Sequence, residues 1–282
     1  MEDFKEITIR TVQGVGDIFW VYQKLSPYFD KINLVICVVN MNCDVQKRSL
    51  PFVKTLPKIQ LVKFLLVSSD EYQRIANIHK TLFQVFNECA NKVFPIEYAV
   101  NGWLEDGVRI DDIDPKFRIE EYVNLKETPV DIPYDEYIIL YISGNKITQE
   151  WGPKKYATLI YNTYTKYKKS YPIILLGAKY DLKHLTIANN ELTKYGYSTK
   201  LMIDYKFEEV NYIIKHSKYF IGYQSGLCIL ADNYDIPQTM LYFNFLDKVM
   251  FSWPKIKNIN ANIYNAFKFN ENIEILKNFD TI

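Results

Sequence analysis

Soft metal ligands are scarce in this chain of 282 residues: four cysteines (Cys37, Cys43, Cys89 and Cys228) and three histidines (His79, His184 and His216). No two cysteines form a C-x-x-C pair and no histidine stands at ligand spacing from one. The expectation is no metal site and reduced, mostly buried thiols. An excess of one charge is lacking too, since 34 Lys and Arg stand against 33 Asp and Glu for a net +1. That balance gives no general electrostatic case for a nucleic-acid partner, although it leaves room for a local basic patch. No apolar run approaches the ~20 residues of a membrane span, and the polar start Met-Glu-Asp-Phe-Lys-Glu does not have the form of a signal peptide. A soluble cytoplasmic protein without a transmembrane segment is therefore expected. There is no internal repeat and no low-complexity tract.

What is present is core material, with 48% apolar and 24% charged residues, in a length that suits two domains. Ile7–Val12, a break at Gln13-Gly-Val-Gly16, apolar residues at helical intervals over Asp17–Leu25 and the continuous run Leu34–Val39 read as a βαβ unit. A helix over Val45–Val53, a strand over Leu61–Val67 and a helix from Asp70, its cap, to Lys92 follow. Residues 94–133 are irregular, which is where acceptors tend to be held. Thr128-Pro-Val-Asp-Ile-Pro133 reads as a linker, because two prolines resist both helix and sheet. Beyond it strands over 137–142, 172–177, 198–203 and 219–221 alternate with helices over 153–169, 181–194 and 207–217. A last strand is expected at Leu241–Phe243 and a helix at Glu271–Phe279. The spacing predicts an α/β fold of two Rossmann-like domains facing a central cleft, 1–133 and 134–282, with the C-terminal helix packing back across the junction.

The second half is organised around Gly222-Tyr-Gln-Ser-Gly-Leu-Cys-Ile-Leu-Ala231, a strand end, a small-residue turn and a helix start. Such a start aims unpaired N–H groups and the positive end of the helix dipole at whatever lies in front of it, which suits a diphosphate. Taken alone, the stretch reads first as a serine cap and a relieved turn. Gln224, Ser225, Gly226 and Leu227 are the candidate phosphate ligands here. Ser143, Gly144 and Lys146 follow the first strand of the same half and offer amides and a point charge. Gly177, at the end of the next strand, fits the same pattern of strand ends converging on a crevice and is a further donor-side candidate. In the first half Asp17 follows a glycine turn at the start of a helix. There it either complements the dipole or takes a proton from an attacking hydroxyl. Gly14-Val-Gly16 lacks the third glycine of a dinucleotide fingerprint, which would fall at Phe19, and no P-loop is present.

Gln13-Gly-Val-Gly-Asp-Ile-Phe-Trp20 resembles the opening Gly-Asp motif of the ADP-heptose lipopolysaccharide heptosyltransferase family, glycosyltransferases of GT-B type. Glu150-Trp-Gly-Pro-Lys-Lys-Tyr156, Leu175-Leu-Gly-Ala-Lys-Tyr-Asp181 and Gln224-Ser-Gly-Leu-Cys-Ile-Leu-Ala231 are similar to its Trp-Pro, Leu-Gly and Asp-Thr-Gly-Leu-x-His-x-Ala segments. Asn101-Gly-Trp-Leu-Glu-Asp-Gly-Val-Arg-Ile is a fainter match. The resemblance implies a nucleoside diphosphate sugar held mainly by the second domain. It implies metal-independent, inverting transfer with Asp17 as base, no cofactor, and an acceptor held by the first domain near Gly14, Gly16 and Asn101. The family's lysine before Trp-Pro falls near Gln149, so Lys146 or Lys154 would have to meet the diphosphate. Its Asp-Thr pair is Gln224-Ser225 and its histidine is Ile229, which speaks against ADP-heptose as donor. The acceptor is a glycan or, in an alternative reading, a hydroxymethylated base in DNA, touched by Lys166, Lys168 and Lys169. A non-catalytic nucleotide-sugar-binding protein is a further alternative, and an epimerase on the same scaffold would want more acid and base groups.

Overall fold

Leu34-Val-Ile-Cys-Val38 contains no polar side chain, and such a run is stable as a strand only where both of its faces are covered. It forms most of β2 (Lys31–Val38) and is buried throughout. The computed structural model describes residues 6–26, 29–40, 45–76, 122–142, 152–223, 225–242, 261–265, 276, 279 and 282. The chain divides into two compact units, Met1–Lys126 and Glu127–Ile282. The proline-flanked segment Thr128–Pro133 thus lies just inside the second.

In the first unit β2 lies between β1 (Glu6–Val12) and β3 (Ile59–Leu66), all parallel. The crossovers carry α1 (Val15–Leu25) and α2 (Val45–Val53). Phe19 of α1 meets Phe52 of α2 edge to face, with centroids 6.0 Å apart. Both rings are fully buried, so these two helices are held in one register against each other. Residues 69–76 are helical (α3), and Ile75 packs with Val12 and Cys37. The cap of α3 is Ser68 rather than the expected Asp70: the Glu71 N–H donates to Ser68 Oγ at 3.2 Å. The Ser-x-x-Glu spacing of a capping box decides the start. Most of the irregular stretch 94–133 lies outside the described residues, and residues 122–133 carry no regular element.

The second unit runs β4 (Ile138–Tyr141), α4 (Pro153–Tyr167), β5 (Ile173–Gly177), α5 (Leu182–Lys194) and β6 (Thr199–Ile203). It continues with α6 (Phe207–Lys215), β7 (Tyr219–Tyr223), α7 (Gly226–Asn233), β8 (Gln238–Tyr242) and β9 (Ala261–Asn265). The strands are parallel in the order β6-β5-β4-β7-β8-β9. Counted from β4 this is 3-2-1-4-5-6, the doubly wound order. Ile138, Leu140, Ile173, Leu175 and Ile221 join Tyr156, Leu159, Leu185 and Leu192 in one core. Alternate residues such as Ile139, Ile174 and Phe220 point the other way and are equally buried, and on that face Tyr137 Oη donates to the Ile213 carbonyl of α6 at 2.7 Å.

Two elements depart from the expectation. β8 starts at Gln238 rather than Leu241, because its polar residues have internal partners. Tyr219 Oη lies 2.8 Å from Thr239 Oγ1, and Gln238 Nε2 donates to the Cys228 carbonyl at 3.1 Å. β9, whose sequence Ala-Asn-Ile-Tyr-Asn has no apolar run, was not expected at all. The helix expected over 271–279 falls largely outside the described residues. Leu276 and Phe279 belong to the second unit's own core, where the Leu276 N–H donates to Thr163 Oγ1 at 3.0 Å.

Candidate functional site

In a parallel sheet every strand delivers its following loop to the same edge, and the strand order decides where two neighbouring loops diverge to opposite faces. In the second unit that place lies between β4 and β7, paired at Tyr141 and Gly222. The connection after β4 leads through α4 to β5 on one side, and that after β7 leads through α7 to β8 on the other. The candidate residues fall on these connections. Ser143, Gly144, Lys146 and Gln224 lie outside the described residues, while Ser225, Gly226 and Leu227 form the start of α7.

Among the described residues, neither helix at this divergence is closed by a side chain. α4 starts at Gly152 with Pro153 in its first turn and no side-chain cap. α7 starts at Ser225, again with none, because the serine hydroxyl is turned inward to Cys228 Sγ at 3.8 Å. The Cys228 thiol donates to the Tyr223 carbonyl at 3.0 Å, and the Cys228 N–H donates to the Ser225 carbonyl at 3.1 Å. Neither the Gly226 N–H nor the Leu227 N–H has an acceptor among the described residues. Tyr156 in the first turn of α4 is wholly buried and interacts electrostatically with Cys228 and Tyr223. The two helix starts therefore share one floor. Burial pushes the Cys228 thiol up to about 12 and the Tyr156 hydroxyl far above its ordinary value, so this floor is neutral.

The other two helix starts described along the same edge carry carboxylates. Asp181 Oδ2 accepts the Ala178 N–H at 3.1 Å in the turn that opens α5, and Glu209 Oε2 accepts the Lys206 N–H at 2.7 Å at the start of α6. Gly177 sits in the first of these turns. A side chain there would fall 2.6 Å from Leu185 Cδ1 and 3.3 Å from Asp181 Oδ2, and the Lys179 N–H is taken by Asp204 Oδ1 at 2.7 Å. The glycine allows close packing, and the two carboxylates oppose an anion. Two strand spacings separate it from β7, roughly 10 Å.

In the first unit Gly14 is the N-cap of α1, and Gly16 and Asp17 follow in its first turn. The Asp17 carboxylate folds back over Gly14 so closely that a methyl group on residue 14 would collide with Oδ2. The Ile18 N–H donates to the Gly14 carbonyl at 2.9 Å. Sequence reasoning missed Ser49, whose hydroxyl donates to the Gln13 carbonyl at 2.6 Å from α2. No local pattern links positions so far apart. Asn101 lies outside the described residues.

Of the lysine candidates, Lys146 lies outside the described residues and Lys154 stands in the first turn of α4 with its side chain turned to a neighbouring helix. Lys154 is 3.8 Å from Glu191 of α5 and largely exposed. Lys166 and Lys169 lie over the rings of Tyr167 and Tyr171, each 5.3 Å from the centroid, and Lys168 is the C-cap of α4. The fifteen residues of α4 put that cluster about 22 Å from Gly152. Among the described residues no three His, Cys, Asp or Glu side chains gather to hold an ion, and no helix is long and apolar enough to cross a membrane.

No family model matches this sequence, and no curated protein matches it. Solved structures do. One is the glycosyl transferase family 9 structure from Veillonella parvula, at 11% identity, covering 96% of this chain and 89% of that one with a TM-score of 0.54. Another is the E. coli heptosyltransferase WaaC with ADP, at 12% identity, covering 94% and 98% with a TM-score of 0.50. Along nearly its whole length, the chain is similar in fold to these glycosyltransferase structures.

Proposed function

We propose that this chain is a glycosyltransferase that moves a sugar from a nucleoside diphosphate sugar to an acceptor hydroxyl, on a GT-B arrangement of two Rossmann-like units. One observation carries the reading. Of the four helices described at the carboxyl edge of the second sheet, the two flanking the strand-order reversal have no acidic residue in the first turn, and the two beside them open on turns that hold a carboxylate, Asp181 and Glu209. Each open start presents about half a positive charge, and at α7 the Gly226 and Leu227 amides are donors for phosphate oxygens. Gln224, Ser143, Gly144 and Lys146 complete the donor side in this reading, and Gly177 supports it by packing. The fold is shared with a heptosyltransferase solved with ADP, which is consistent with a diphosphate ligand.

The acceptor hydroxyl gives its proton to Asp17, and its oxygen attacks the anomeric carbon from the face opposite the bond that breaks, so configuration inverts. The bonding pair leaves with the diphosphate, whose growing charge the α4 and α7 starts receive. The reaction as written calls on no metal ion. Gly14, Gly16 and Asn101 stand on the acceptor side. Nothing among the described residues favours DNA as acceptor, since the lysine cluster lies at the far end of α4. Gln224-Ser225 and Ile229 stand where the resembled family has Asp-Thr and histidine, so the sugar is left unassigned. We place the reaction in the cytoplasm.

Asp17→Asn tests the mechanism. The variant is expected to lose transfer by at least a hundredfold while binding nucleoside diphosphate as the parent does. Undiminished turnover would remove Asp17 from the chemistry.

A further inference from the structure

We infer that Ser49, on the crossover helix α2, is the positioning residue that sets the Gln13–Gly16 turn and through it the direction of the Asp17 carboxylate. The inference rests on the reading of Asp17 as base. A serine inside a helix ordinarily turns its hydroxyl to solvent or to the carbonyl four residues back, here Val45. Ser49 does neither. It is fully buried and donates to the carbonyl of Gln13, thirty-six positions away, at 2.6 Å.

That carbonyl belongs to the residue between the end of β1 and the α1 cap at Gly14. One helical turn further along α2, Phe52 lies edge-on to Phe19, two residues past Asp17. The ring contact and the hydroxyl bond hold α2 against both ends of the same short segment, residues 13 to 19. Within that segment the carboxylate lies over Gly14, so a rotation of the Gln13–Gly14 peptide moves the surface on which it rests. Removal of a hydrogen-bond donor from this part-buried carbonyl is worth about a tenfold change in a local equilibrium. Ser49 does not touch a reacting atom in this scheme, and its effect passes through the turn.

The test compares Ser49→Ala, Ser49→Thr and Asp17→Asn with the parent in the full chain. Amide hydrogen exchange over residues 10–20 and 45–56 is measured first. Ser49→Ala is expected to speed exchange at residues 14–17 about tenfold with residues 45–56 unchanged, and Ser49→Thr, which keeps the hydroxyl, restores it. Equal loosening of both segments, or none in the turn, overturns the inference whatever the activity. Nucleoside diphosphate release from a panel of nucleotide sugars is measured second. A fall in kcat at constant donor KM in Ser49→Ala, with no further loss when it is combined with Asp17→Asn, supports positioning. Parent-like kcat in Ser49→Ala beside an inactive Asp17→Asn overturns it. An active Asp17→Asn removes the base assignment instead, and the catalytic half of the inference with it, leaving the exchange result to decide the tether.

Discussion

Gly14 has φ −73 and ψ 137, values any residue adopts, so its lack of a side chain is explained by the carboxylate folded over it and not by its backbone. Gly14→Ala separates the two reasons. The backbone tolerates alanine, so stability is expected to stay within about 1 kcal/mol of the parent, while the added methyl drives the Asp17 carboxylate from its place. Turnover is expected to fall toward that of Asp17→Asn, with thermal unfolding nearly unchanged. Full turnover in Gly14→Ala would mean that the position of the carboxylate seen here is not the working one. The sequence made Asp17 legible as a helix-start acid after two glycines. Ser49 was not legible, because its partner is brought to it only by the packing of α1 on α2. Nor does composition reveal that Ser225 turns inward, which follows from the thiol at Cys228 standing one turn further on.

At the scale of elements, the buried strands were legible because they are continuous apolar runs, as in Leu34–Val38 and Ile173–Leu176. β9 was not: Ala261-Asn-Ile-Tyr-Asn265 acquires its strand conformation by pairing with β8, and pairing is a long-range property. Asp181 and Glu209, three residues after the caps they serve, show the same Xaa-x-x-acid spacing in the sequence as Ser68 and Glu71. In the C-terminal segment Leu276 and Phe279 enter the core of the second unit. Phe279 is fully buried and lies 5.4, 5.9 and 5.6 Å from the rings of Tyr164, Tyr171 and Tyr219. Phe279→Ala is expected to cost the second unit about 3–5 kcal/mol, measured by urea unfolding. A loss under about 1 kcal/mol would show that the segment is an ornament on the core and not part of it.

At the scale of the whole molecule, alkaline pH is the direction of weakness. Burial raises Cys228 from 9.0 to about 12, raises Tyr22 from 10.0 to about 12, and pushes Tyr137, Tyr156 and Tyr164 higher still. Each group is held neutral in the folded chain, so its contribution is complete below the unfolded value and is lost as pH climbs from there toward the folded one. Stability is expected to be flat across neutrality, to begin falling above pH 9 with Cys228, and to steepen above pH 10 as the tyrosines join. Each group adds about 1.4 kcal/mol per pH unit. Cys228→Ala should remove the first part of that fall in a pH series of urea midpoints. Unchanged stability up to pH 11 would contradict the burial of these groups.

The order β6-β5-β4-β7-β8-β9 could not be read from the sequence, because alternating strands and helices are compatible with several orders. Yet it is the order that sets the starts of α4 and α7 beside each other. Gly226→Pro isolates that claim. Residue 226 is the first of α7 and Ser225 before it is extended, with φ −161 and ψ 168, so proline fits the helix start and deletes a single N–H. The measurement is the thermal shift of parent and variant over a panel of nucleoside diphosphates. At a hundred times its dissociation constant the right ligand is predicted to stabilise the parent by about 2.7 kcal/mol, and Gly226→Pro, equally stable when free, to lose most of that gain. Equal stabilisation of both proteins, or none of the parent by any nucleoside diphosphate, would contradict the account.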